Sequence, residues 1–469
     1  MKSKVFIRFI FFIFLFVFSF KSYGQLDSKF WFAGPDISAV HGDSPIKIVV
    51  TAFDFPAEIT ITQPANQNFT PIKFTVQKQT SFSYDLTSIK GQIETSGVNN
   101  IKNTGLLITS TSLVTAYYLV DRQNNADIFS LKGSNALGTE FLILSQKDLG
   151  SAMADGFNAA YILATENNTK ITITPSVDLV GYNRNIPFVI TLSKGQVYVA
   201  AAANSAQIGN QIGGTFVSSD KPISIVLSDD SAKFQSAGCY DLNGDQLIPV
   251  CLAGKEYVTM PGSLNVNVGG LSNVTDIVYV YATEDDTQLT VNGQVLSQKR
   301  NRGGYFPIYN RGQNNYITSN KPVLIYQLGG NGCEVGGAVI PQMTRGGLDF
   351  SSAMRLTDEN FIINILTKEE FKDDFEIVGI SGNYSIFWTT LNNNWVSGRI
   401  DLSNLSLVGV GKTIYFKNSA GNFHLGWING GLGSGTRYGY FSNFSIALNE
   451  SEVISSTSDQ EAIFSISNP

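Results

Sequence analysis

The segment CYDLNGDQLIPVC, residues 239–251, is the most unusual stretch of the chain. Asp241, Asn243 and Asp245 stand at alternating positions and could present oxygens to a hard cation such as Ca²⁺. The helix-loop-helix calcium motif does not fit, because it needs Gly where Gln246 stands and Glu where Leu252 stands. The plainer reading, which takes precedence, is a polar turn that satisfies backbone amides. No other cofactor is expected. Cys239 and Cys251 flank the segment and form the candidate disulfide. The third cysteine, Cys333, aligns with Cys239 when GGNGCEVGGAVIP is laid on SAGCYDLNGDQLIP, so a Cys239–Cys333 bond between units is the alternative.

Other chemistries are poorly served. Only two histidines occur, His41 and His424, and no Ser lies in a G-x-S-x-G frame, so a His-dependent hydrolase is not expected. SLVGVGKT, residues 406–413, resembles a phosphate loop but has Ser406 where the first Gly belongs. Carboxylate pairs stand at Asp229–Asp230 and Asp285–Asp286. A glycosidase needs two such groups about 5–10 Å apart across a cleft. The second pair, however, occupies a turn whose sister copy carries Asn167–Asn168, which fits solvated turn chemistry. Trp31, Trp388, Trp395 and Trp427 belong to an aromatic content of 12%, mostly core, with FHLGWINGGLGSGTRYGYFSNFS as the candidate exposed surface.

The elements that must carry these residues are repeated. YILATENNTKITITP returns as YVYATEDDTQLTVNG and, more worn, as VVTAFDFPAEITITQP. Ile59, Ile171 and Leu289 are equivalent in this alignment, at spacings of 112 and 118 residues. A second phrase, LLITSTSLVTAYYL, recurs as TFVSSDKPISIVLS and NYITSNKPVLIYQL, with a worn fourth copy at YFKNSAGNFHLGW. A third, ALGTEFLILS, returns as LAGKEYVTMP. Recurrence in one order points to internal duplication. Within each copy the apolar period is two, and ENNT and EDDT supply residues that tolerate left-handed turns, so ATENNTKITI predicts a hairpin. Helix signals are confined to KEEFKDDF, residues 368–375.

The expected fold is therefore all-β, made of tandem β-sandwich-like repeats of about 110 residues. The alternative is a propeller-like arrangement of four-stranded sheets. The divisions are a signal peptide at 1–24, repeats at 25–145, 146–262 and 263–355, and a degenerate fourth repeat with the C-terminal tail at 356–469.

The leader MKSKVFIRFIFFIFLFVFSFKSYGQ has a basic start, an apolar run too short to span a bilayer and a small-residue end, with cleavage expected after Gly24. No transmembrane segment is expected after cleavage. The net charge of −6 becomes −10 once Lys2, Lys4, Arg8 and Lys21 are removed, which disfavours nucleic acid and anionic membrane as partners.

Taken in order, FWFAGPDIS, HGDSPIKIVVTA, ITITQPANQNFTPI, ALGTEFLILSQ, ATENNTKITITPS, SSDKPISIVLSDDS, GCYDLNGDQLIPV and GCEVGGAVIPQM resemble the domain named for the amino-terminal region of the IgG Fc-binding protein. The likeness runs from about Phe30 to Trp427, and bacterial versions are similar to exported proteins of the Bacteroidetes type. The resemblance implies a secreted or cell-surface module for binding and adhesion, with no enzymatic chemistry and an extracellular protein or glycan as ligand. Relatives carry a further Cys after the proline of CEVGGAVIP; here QMTRGG has none. Two other functions are weighed against this one. They are a carboxylate-dependent carbohydrate-active enzyme and a structural subunit of a surface or envelope assembly.

Overall fold

The computed structural model describes residues 25–444 apart from 236, 237 and 393. The leader, its cleavage point and the tail at 445–469 lie outside the described residues. What is described is all-β, and the only helical pieces are short turns. KEEFKDDF contains a single 3-10 turn, Glu369–Phe371.

The repeated phrases form repeated strands. In Thr169–Thr174 the residues Ile171 and Ile173 are buried while Lys170, Thr172 and Thr174 face outward, and Ala57–Thr62 shows the same alternation. Ile59 pairs with Ser110, Ile171 with Ser219 and Leu289 with Ser319, one register kept in three sheets. The turns before the second and third copies are also alike. Asn168 and Asp286 are left-handed at φ 55° and 57°. The Thr169 and Thr287 hydroxyls each donate to the carbonyl three residues back at 2.8 Å.

Ser110, Ser219 and Ser319 belong to three long strands, Leu106–Arg122, Phe216–Lys233 and Asn315–Gly332. One half of each pairs with a short strand that opens its sheet: Asp27–Phe32, Gly138–Leu142 and Gly254–Thr259. ALGTEFLILS and LAGKEYVTMP thus begin sheets. The changes of sheet come at 132–137, 247–253 and 341–349, ahead of the divisions expected after residues 145, 262 and 355. The fourth long strand is broken into Thr413–Asn418 and Phe423–Gly431. Between them the Asn418 carboxamide accepts the N–H groups of Ala420 and Gly421 at 3.1 Å, which closes the turn and explains why the phrase is worn there.

Each long strand turns back into an inner strand: Asn125–Leu131, Tyr240–Gln246, Glu334–Ile340 and Gly435–Phe441. The first inner strand packs on the second and fourth, and the third packs on the second and fourth, so the four close a ring. Each of the four large apolar clusters draws on two neighbouring repeats. The joints are therefore sandwich-like, sheet face on sheet face, while the whole is propeller-like around one axis.

Candidate functional site at the ring of inner strands

The axis of the ring is polar and dry. Asp127 is fully buried and accepts the N–H groups of Ile128 at 2.9 Å, Gly337 at 3.0 Å and Tyr438 at 3.1 Å, tying the first inner strand to the third and fourth. Burial drives its pKa well above the ordinary carboxylate value, and the three donors oppose that rise. Asp245 accepts the N–H groups of Val339 at 2.9 Å and Ser130 at 3.0 Å, and pairs with the Lys132 ammonium at 2.7 Å. Asp241 accepts the Val335 N–H at 3.2 Å. Asn243 accepts the Tyr326 hydroxyl at 2.9 Å. Partners in this list stand at matched heights, so the strands run in one direction around the axis. Side chains must be small where strands approach most closely: a Cβ on Gly244 would come within 2.5 Å of the Phe129 ring, and one on Gly337 within 1.9 Å of the Tyr326 hydroxyl.

These observations correct two sequence expectations. DLNGDQ is neither turn nor cation loop but part of a buried strand, Tyr240–Gln246. Asp241, Asn243 and Asp245 do share a face, as their spacing requires, but their oxygens are taken up by backbone N–H groups, a hydroxyl and an ammonium. The disulfide joins Cys239 to Cys333, not to Cys251, with Cα atoms 5.7 Å apart. Cys239 and Cys333 immediately precede neighbouring inner strands, whereas Cys251 follows the far end of a seven-residue strand. That strand separates the two cysteines by on the order of 20 Å. Cys251 is a free, exposed thiol.

Because the inner strands are parallel, all four hairpin tips reach the same end of the ring and form a mouth. The tips are fastened to one another. Cys239–Cys333 joins the second to the third, the Gln123 carboxamide donates to the Gly433 carbonyl at 3.0 Å, and Arg437 pairs with Asp121 across the first and fourth. The loop at 36–44 packs beside the mouth, with His41 ringed by Tyr240 at a centroid distance of 4.5 Å and Asp230 at 3.6 Å. Val40 in that loop is 76% exposed and Leu432 on the fourth tip is 61% exposed. FHLGWINGG and GTRYGYF, expected at the surface, are buried strands, and only the tip between them is exposed.

The remaining candidates separate. Asp285 and Asp286 are exposed on their turn. Asp229 and Asp230 are withdrawn from solvent at a bulge of the second long strand. Asp229 accepts from Asn158 at 2.8 Å, Ser151 at 3.1 Å and Gln146, and burial pushes its pKa up to about 7. Asp230 accepts the Ser38 N–H and lies beside His41, a partnership invisible in the sequence because residues 41 and 230 belong to different repeats. His424 is buried with Nδ1 2.6 Å from the Ser442 hydroxyl. Lys132 and Asp127 also escaped notice. Their signal was charge inside an otherwise apolar strand, NADIFSLK.

The family model for the IgGFc binding protein matches residues 127–434, from the first inner strand to the last hairpin tip. The chain belongs to the IgGFc-binding family. The span matched takes in the second and third sheets whole and all four mouth hairpins except the turn at 122–125, so the family signature and the ring coincide. No curated protein matches the chain. One solved structure, a glycosyl hydrolase family 2 member from Bacteroides cellulosilyticus DSM 14838, is 6% identical over 88% of this chain and 91% of that one. Its TM-score of 0.12 gives that likeness no weight.

Proposed function

We propose that this IgGFc-binding family member is an exported, non-enzymatic binding and adhesion module that grips an extracellular protein through the mouth of its ring. One observation carries the reading: four hairpin tips from four repeats meet on one face, braced by a disulfide and an ion pair, with Val40 and Leu432 presented to solvent. A pre-braced surface loses little conformational freedom on binding, and exposed apolar side chains at its centre supply the desolvation that drives association. Membership in a family of binding domains supports the class of function, and the leader supports export. Among the described residues no helix is long and apolar enough to cross a membrane.

The test is to immobilise the chain and screen immunoglobulin, mucin-type glycoproteins and purified glycans, then repeat with Val40→Asp and Leu432→Asp. Both positions are exposed, so the melting temperature should be unchanged while affinity falls at least about tenfold, the loss of a central contact. Undiminished binding by both variants would remove the mouth from the mechanism.

A glycan ligand is the second reading, favoured by a groove between the third and fourth sheets. Phe387, 69% exposed, lines it with Gln313, Asn314, Asn364 and Arg399, an aromatic face beside amide and guanidinium donors. Phe387→Ala should abolish glycan binding and leave protein binding intact.

A further inference from the structure

Glu334 opens the third inner strand directly after Cys333, and Cys239 faces it from the second hairpin. The two sulfurs and a Glu334 carboxylate oxygen all lie within 4.8 Å of one another. Ligand atoms around one tetrahedral zinc ion, at bond lengths of about 2.0–2.3 Å, have that spacing. Glu334 is only 5% exposed, and its Oε2 has no hydrogen-bond partner. Its other contact is Asp241, with which it shares a hydrogen bond that requires one carboxyl to keep its proton. A buried carboxylate with an unused oxygen, beside a second carboxyl and two sulfurs, lacks a cation.

We propose that the Cys239–Cys333 corner is a redox-gated metal site. With the disulfide formed, the bond itself clamps the second hairpin to the third. A dithiol reductant delivers two electrons and two protons, opening the S–S bond to two thiols while the reductant closes into its own disulfide. A zinc-class divalent cation then displaces the two thiol protons and is held by both thiolates and the Glu334 carboxylate, with Asp241 behind the carboxylate. The thiolates select a borderline-soft ion over Ca²⁺. The fourth position faces the mouth and is open to water or to a donor atom of whatever binds there. The same two hairpins thus have two mutually exclusive clamps, one covalent and one metallic.

The experiment uses the full mature chain carrying Cys251→Ser, which removes the free thiol. Oxidised protein and protein reduced with a dithiol and desalted under argon are each dialysed against Co²⁺ or Zn²⁺. The reduced chain should bind one equivalent and show the near-ultraviolet thiolate-to-Co²⁺ charge-transfer band; the oxidised chain should bind none. Cys333→Ser should abolish the band. Glu334→Gln should weaken Zn²⁺ binding at least about tenfold with its thiol count unchanged. Folding of Glu334→Gln is checked beforehand in the oxidised state, where the disulfide is intact. Metal-free reduced protein, equal uptake by the oxidised chain, or full affinity in Glu334→Gln would each overturn the proposal.

Discussion

The Lys132 ammonium meets the Asp245 carboxylate at 2.7 Å with the two side chains 0% and 2% exposed. They come from the first and second inner strands' repeats, so the pair is a bolt between modules. Desolvation opposes charge on both, lowering the Lys132 pKa and raising that of Asp245, and their mutual attraction opposes each shift. Lys132→Met leaves Asp245 buried without a counter-charge and should cost about 3–5 kcal/mol. Adding Asp245→Asn to it should recover part of the loss. Urea midpoints of the two single variants and the double variant check this; a Lys132→Met midpoint equal to the parent's would show that the pair contributes nothing.

The local part of this fold was legible in the sequence, and the global part was not. Ile59, Ile171 and Leu289 could be aligned because hairpin chemistry and a period of two are properties of ten-residue windows. The ring could not be read, because it depends on contacts between residues more than a hundred positions apart, such as Asp127 with Gly337 and Tyr438. DLNGDQ has the composition of a turn, and alternation of its oxygens fits a chelator as well as a brace. Only the neighbouring strands decide that the oxygens serve backbone N–H groups. The glycines of the tail suggested exposure, yet Gly426 and Gly439 stand where a Cβ would strike Tyr440 and Ile128. Glycine there permits close packing.

The shared register yields a prediction about equivalence. Ile59, Ile171 and Leu289 are 1%, 0% and 0% exposed and sit opposite matching serines. Replacing each with Ala should cost about 2–5 kcal/mol, the loss of a buried four-carbon chain plus the cavity left behind. The three melting curves should remain single transitions, since each apolar cluster joins two repeats and no repeat can unfold without exposing its neighbour's face. A separate early transition in any variant would show that the modules fold independently.

Glu94 controls the alkaline side. It is 7% exposed with one oxygen unpartnered, and burial, followed by the charges of Asp43 and Asp36, pushes its pKa up to about 9, with Lys90 opposing. Its ordinary value is 4.5. Below that value Glu94 is protonated in both folded and unfolded chains. Between it and about 9 the unfolded chain ionises first, so stability is lost as pH rises. Glu94→Gln should therefore melt with the parent at pH 4 and above it at pH 8. Parallel melting temperatures across that range would place the Glu94 pKa back in the ordinary region.

His424 acts on the acid side with the opposite sign. Burial pulls its pKa down from 6.5 to about 4, while a hydrogen bond with the Met343 backbone resists, and its Nδ1 engages the Ser442 hydroxyl. Above 6.5 the ring is neutral folded or unfolded, and its contribution is fully present. As pH falls from 6.5 to about 4 the unfolded chain takes up a proton that the folded chain refuses, and the contribution drains away. Carboxylates titrate in part of the same window, so the measurement must be a difference between two proteins. His424→Gln should be less stable than the parent at pH 7.5 because it forfeits the Ser442 contact. That gap should narrow steadily toward pH 4.5, because only the parent has an imidazole to protonate. A constant gap would mean that His424 is already charged in the fold, and its burial against Trp395 at 6.1 Å would then need a counter-ion that the described residues around it do not supply.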